Sequence, residues 1–193
     1  MMKKKLLILL LSIFYTFSFS QNNYENTIKK DLTSFVQNMR SKDMDKAVEH
    51  IYPKYFNVVS KEQMKKILNL TYNNPAIKTT ILDFKVLDVE KPEKINNEFF
   101  SFTNYRFKMN LKIDWTSFPN NQQIKAQISD GLYKKFGKEN VIYSLKQDDY
   151  IINAKMKACA VSNNGNEWKF VIIDKNYKPE LAKVLPEKIL NKF

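Results

Sequence analysis

The sequence predicts an α+β domain built on an antiparallel sheet. Apolar residues recur at helical spacing near the N-terminal end, and further on the pattern changes to strict alternation. The resulting order is three helices, two strands, a helix, three strands and a helix. Helices gathered largely on one face of a sheet of about five strands satisfy that order.

Tyr24, Ile28, Leu32, Phe35, Val36 and Met39 fall three or four apart, which makes one apolar stripe of a helix over about 24–39. Its other face carries Lys29, Lys30, Asp31 and Asn38, so it lies on a core rather than inside one. A short second helix is expected over 43–50, with Met44, Ala47, Val48 and Ile51 inward and Pro53 ending it. In "SKEQMKKILNLTY", Ser60 and Gln63 form a capping-box pattern ahead of Met64, Ile67 and Leu68. Asn73, Asn74 and Pro75 close that third helix.

The period then shifts to two. Leu82, Phe84 and Val86 alternate within a strand over 77–89, and a turn region follows around 91–97. In the longest strand, Tyr105, Phe107, Met109, Leu111, Ile113 and Trp115 alternate with Asn104, Arg106, Lys108, Asn110, Lys112 and Asp114. One face is apolar and the other wet, as in an antiparallel sheet covered on one side. Phe100 and Phe102 sit on the opposite phase, and a β-bulge near Thr103 would reconcile the two. Ile124, Ile128, Leu132 and Phe136 return to helical spacing, with Gly137 past the end. Strands over 140–146, 150–161 and 167–174 complete the sheet, and a last helix starts near Pro179 with Pro186 kinking or restarting it. The stretch "NNGNEWKFVIID" is the second arm of the closing hairpin. Gly165 serves its turn, and Trp168, Phe170 and Ile172 face the inner layer.

The first residues, "MMKKKLLILLLSIFYTFSFSQNN", carry three lysines, an apolar run, and Ser18 and Ser20 placed as small residues for a signal peptidase. Export with cleavage before Gln21 is the expectation, leaving one domain over 21–193 with no membrane span. Cleavage removes three lysines and no acid, which lowers the formal charge from +12 to +9. The basic excess is almost all lysine, since Arg40 and Arg106 are the two arginines. Lysine is a hydrated point charge rather than a bidentate fork, so diffuse attraction to anionic surfaces suits this composition better than nucleic-acid reading. Cys159 is the single cysteine, so no intrachain disulfide forms. His50 is the single histidine and there is no cluster with metal-ligand spacing, so neither a metal nor a cofactor is expected. Three glycines, Gly131, Gly137 and Gly165, are too few and too scattered for a phosphate-cradling loop.

By element order most of the mature chain resembles the NTF2-like (cystatin-like) superfamily. The matching parts are the long first helix, "AVEHIYPKYFNVVSKEQMKKIL" as the second and third helices, and the late hairpin "AKMKACAVSNNGNEWKFVIID". The resemblance implies N-terminal helices packed in the concavity of a bent antiparallel sheet. The helix over 122–136 then reads as an insertion and the C-terminal helix as an addition. That superfamily hosts isomerases, dehydratases and domains that only bind, so the resemblance leaves function open.

Two surfaces are candidates for binding. Arg106, Lys108, Lys112, Lys155, Lys157 and Lys169 share the outer phase of the sheet and form a basic plate if their strands are neighbours, only partly offset by Asp114 and Glu167. Such a plate suits an anionic component of the cell envelope or a protein partner, and this non-catalytic interaction is the leading expectation. On the inner phase, Ala154, Ala158 and Ala160 leave room above the sheet, where either a helix packs close or a pocket opens. A pocket there would be lined by Tyr105, Phe107, Met109, Met156 and Trp168 and would take a small apolar ligand. An isomerase- or dehydratase-type enzyme is the third reading, but Asp83, Asp88, Asp114 and Asp149 have no inward placement that would raise a pKa. No catalytic residue is assigned. His50, at a helix end, suits the C-terminal dipole.

Overall fold

The computed structural model describes residues 23–193, so the expected leader over 1–20 lies outside the described residues. The N-terminal stripe forms helix α1, residues 23–40, burying Ile28, Leu32, Phe35 and Val36. Helix α2, Met44–Val48, follows with Asp43 capping it, and a 3-10 turn over Pro53–Asn57 leads to α3, Lys61–Tyr72. Ser60 and Gln63 make the reciprocal capping box that the sequence predicts. Helix α4, Asn121–Phe136, interrupts the strands, and two short helices, α5 over Lys178–Leu181 and α6 over Glu187–Leu190, end the chain. Pro186 is the N-cap of α6, so it restarts a helix rather than kinking one. No helix among the described residues is long and apolar enough to cross a membrane.

The sheet is antiparallel and has six strands: β1 Ile77–Val89, β2 Glu93–Ile95, β3 Glu98–Ile113, β4 Val141–Ser144, β5 Asp149–Ser162 and β6 Lys169–Ile173. β3 and β5 are its spine. β1 and β2 pair with β3, while β4 and β6 pair with opposite ends of β5. The sixth strand is β2, three residues within what the sequence reads as a turn. In the β5–β6 connection, Gly165 has φ 77°, and Asn164 Oδ1 accepts from the amides of Asn166 and Glu167 at 2.8 and 3.0 Å.

β3 itself carries no bulge at Thr103. Pairing between β3 and β5 runs unbroken from Phe99↔Ser162 to Lys112↔Asp149. The register breaks lie in β1 instead, between Ile81 and Asp83 and between Val86 and Asp88, and such breaks bend the strand that carries them. The first leaves Leu82 half-exposed rather than inward. Phe100 and Phe102 are out of phase for a different reason, because they lie on the outer face and are covered there.

Three clusters of buried side chains result. On the inner face, α1 and α2 bury Ile28, Leu32, Phe35, Met44 and Val48 against Tyr105, Ala158, Ala160, Trp168 and Phe170. At the other end of that face, Ile124, Ile128, Leu132 and Phe136 of α4 pack on Val141, Tyr150, Ile152 and Ala154. On the outer face, Leu181, Val184, Leu185, Ile189 and Leu190 cover Phe100, Phe102, Cys159, Val161, Val171 and Ile173. The C-terminal segment therefore makes one end of the sheet a middle layer, and the other end keeps a wet outer face.

Candidate functional site

Phe107 touches both inner clusters, and above it they do not close. The seam is a cavity of about 570 Å³. Its floor is Ile81 and Phe84 of β1 with Tyr105, Phe107, Met109 and Leu111 of β3, and Met156 of β5 joins them. Phe35, Val36 and Met39 of α1 and Met64, Leu68 and Tyr72 of α3 form the roof, and Leu132 and Phe136 of α4 form the far wall. The inward alanines sit to either side of it, with Ala158 and Ala160 beneath the N-terminal helices and Ala154 beneath α4. Helices approach closely over the alanines, and the cavity opens where the strands present large side chains.

Of the residues named from alternation, Tyr105, Phe107, Met109 and Met156 line the cavity. Trp168 does not. It is 1 % exposed and locks β6 to α1: its indole Nε1 donates to Thr27 Oγ1 at 3.1 Å, and its backbone amide donates to Asp31 Oδ2 at 2.9 Å. Tyr72 belongs to the wall, but its position as the last residue of α3 gives no alternation signal for it.

Few polar atoms face the void. Thr79 Oγ1 is satisfied by donating to the Thr71 carbonyl at 2.7 Å. The phenols of Tyr72 and Tyr105 have no hydrogen-bond partner among the described residues, although Tyr105 is only 8 % exposed. Burial raises the pKa of both. The charged lining residues are Lys135 and Asp174. Lys135 is exposed, and Asp174 caps a 3-10 turn by accepting from the Asn176 amide at 2.9 Å. Ile67, Thr71, Ile172 and Tyr177 are also exposed, so together with Lys135 they mark the rim. Residues 153–156 of β5 lie between the segments paired with β4 and β6, and of these Met156 lines the cavity.

The outer face is less basic than alternation suggests. Lys85, Arg106 and Lys155 do form one row across β1, β3 and β5, and Lys78 and Lys112 are paired next to Asp149. Acids interleave with them. Asp83 lies opposite Lys108 and 3.4 Å from Arg106, and Asp149 accepts from Asn110 Nδ2 at 2.6 Å. The ammonium of Lys157 lies 4.9 Å from the centre of the Phe102 ring and 3.9 Å from Glu90. That of Lys169 donates to the Glu49 carbonyl at 2.8 Å. Lys108, Lys112 and Lys155 make no ion pair among the described residues. Asp114 caps a 3-10 turn. Hydrogen bonds from the Thr116 and Ser117 hydroxyls and the Thr116 amide lower its pKa.

His50 is held by Asn38 Nδ2 at 3.1 Å and lies 5.8 Å from the Phe35 ring; burial lowers its pKa. Cys159 is fully buried under the C-terminal segment, and burial pushes its thiol up to about 12. These features define a class: an α+β domain whose helices roof one face of an antiparallel sheet and leave an apolar cavity between them. Comparison with protein families, curated proteins and solved structures found no match.

Proposed function

We propose that the protein is an exported binding domain that takes a small apolar molecule into the cavity between sheet and helices. The carrying observation is that space of about 570 Å³, walled almost entirely by apolar side chains. It lies within the roughly 300–1,000 Å³ usual for small-molecule sites. Protein interiors fill voids because an unfilled one forfeits dispersion contacts, so a cavity of this size is a cost that ligand binding offsets. The leader pattern supports export, and helices over the inner face of an antiparallel sheet support an NTF2-like class. The neutral fluorophore N-phenyl-1-naphthylamine tests the reading. It is expected to brighten on binding, to raise the melting temperature, and to be displaced by Met156→Trp, which fills the floor. At about 100-fold excess over Kd, the stabilisation is about 2.7 kcal/mol. No brightening and no shift at saturating probe would refute the cavity reading.

A second reading is favoured by the row of Lys85, Arg106 and Lys155, because like charges placed opposite one another destabilise a sheet. The open end of the outer face is then a contact for an anionic envelope component or an acidic protein. Replacing Lys108, Lys112 and Lys155 by Gln is expected to abolish sedimentation with phosphatidylglycerol vesicles at low salt, at about 1 kcal/mol per lysine. Lys157→Gln serves as the control, because that lysine is engaged by Phe102 and Glu90. Unchanged sedimentation of the triple variant would end this reading.

A further inference from the structure

We infer that the apolar ligand presents a neutral hydrogen-bond acceptor, such as a ketone, ester or quinone oxygen, to the phenols of Tyr72 and Tyr105 that line the cavity. This rests on the cavity being a ligand site.

Tyr105 stands on β3 and Tyr72 ends α3, so the two phenols enter the void from floor and roof. Both line the same cavity, and Tyr72 packs against the buried cluster that contains Tyr105. A buried hydroxyl normally finds a partner, because an unmet donor carries its full desolvation cost. Neither phenol makes a hydrogen bond among the described residues, and neither oxygen is sealed in the core, so each is left open to the cavity. Tyr105 is nevertheless more than nine-tenths buried, and both border the cavity. Burial holds both pKa values above that of a free phenol, so both remain donors at neutral pH.

The charge balance selects the kind of acceptor. Among the described residues Lys135 is the one cation lining the cavity, and it is exposed at the rim. A carboxylate or phosphate carried into the cavity away from Lys135 would be desolvated without a counter-ion, which is far costlier than burying a carbonyl. Two phenolic donors supply what a single carbonyl oxygen accepts through its two lone pairs. The apolar body of the ligand then runs past Phe107 and Met109 toward the rim.

Three naphthalene probes of nearly equal size test this: 6-propionyl-2-(dimethylamino)naphthalene, which carries a ketone, 6-propyl-2-(dimethylamino)naphthalene, in which a methylene replaces the carbonyl, and 6-(dimethylamino)-2-naphthoate, which replaces it with an anion. The wild-type protein is expected to bind the ketone at least about 5-fold tighter than either of the others. Tyr105→Phe and Tyr72→Phe keep the rings and so the packing. Each is expected to weaken ketone binding about 5-fold and to shift its emission to the blue, while leaving the ketone-free probe unchanged. Thermal melts of both variants confirm that they are folded. Equal affinity for the ketone and the ketone-free probe, or no effect of either variant, would overturn the phenol assignment and leave the cavity reading standing. Tighter binding of the naphthoate would overturn the neutral-acceptor assignment. If none of the three binds, the cavity reading fails with it.

Discussion

Removing residues 175–193 is expected to abolish cooperative folding. This segment supplies Leu181, Val184, Leu185, Ile189 and Leu190, which cover the outer ends of β3, β5 and β6. Without it, Phe100, Phe102, Val161, Val171 and Ile173 form a contiguous apolar face on an open sheet, a surface that soluble proteins do not leave bare. The truncated chain is expected to aggregate, or to remain as a compact state that binds hydrophobic dye. Leu185→Ala is the graded form of the test. It deletes a buried aliphatic side chain at a cost of about 2–5 kcal/mol, or a fall in melting temperature of about 10 °C in a domain of this size. Cys159 gives a built-in readout, because it lies under the same segment, fully buried. Its reaction with an aromatic disulfide should be slow in the wild-type protein and much faster in Leu185→Ala. A folded truncated chain with an unreactive thiol would show that the C-terminal helices are an ornament rather than a layer.

That layer is also where alternation in the sequence misleads. Phe100 and Phe102 share a face with Arg106 and Lys108, so β3 is apolar outward at one end and charged outward at the other. A phase change of this kind looks the same whether a bulge turns the strand or a distant segment returns to cover it. The bends that do occur lie in β1, where Leu82 and Leu87 are left partly exposed and periodicity carries little weight. The helices were legible because their apolar stripes are long and, for α3, because Ser60 and Gln63 mark the start. β2 was not, since three residues set no period. On the cavity, alternation finds the floor: Tyr105, Phe107, Met109 and Met156 belong to one face of two neighbouring strands. It does not find the roof. Tyr72 and Leu132 come from helices placed by tertiary packing, and the void between them exists because two separate cores each fix their own helices.

The basic plate illustrates the same limit for charge. Counting alternate positions on β3 and β5 collects Arg106, Lys108, Lys112, Lys155 and Lys157, but the neighbouring strand brings Asp83 opposite Lys108, and Asp149 comes to lie beside Lys112. Ion pairs exposed in this way contribute little to stability and are screened by salt, so they moderate the field of the face more than they hold the fold. The fixed features of this molecule are apolar, and the strongest of them joins the late hairpin to the first helix.

Trp168→Ala is expected to lower stability by about 3–5 kcal/mol, a large share of the roughly 5–15 kcal/mol that holds a domain together. The indole is nearly sealed between β6 and α1, in contact with the cluster that contains Ile28 and Leu32. Three further variants separate packing from hydrogen bonding. Trp168→Phe keeps most of the buried ring but loses the bond from Nε1 to Thr27 Oγ1, at a cost of about 1–2 kcal/mol. The Thr27 hydroxyl still donates to the carbonyls of Asn23 and Tyr24, so it is not orphaned. Asp31→Ala removes the acceptor of the Trp168 amide and is expected to cost about 1–3 kcal/mol, whereas Asp31→Asn keeps an oxygen there and should cost less. Urea denaturation measures all four. Because Trp168 is not part of the cavity wall, Trp168→Phe should bind N-phenyl-1-naphthylamine as tightly as the wild-type protein does, despite its lower midpoint. A variant that keeps its stability but loses the probe would place Trp168 in the site and contradict its role as the anchor between hairpin and helix.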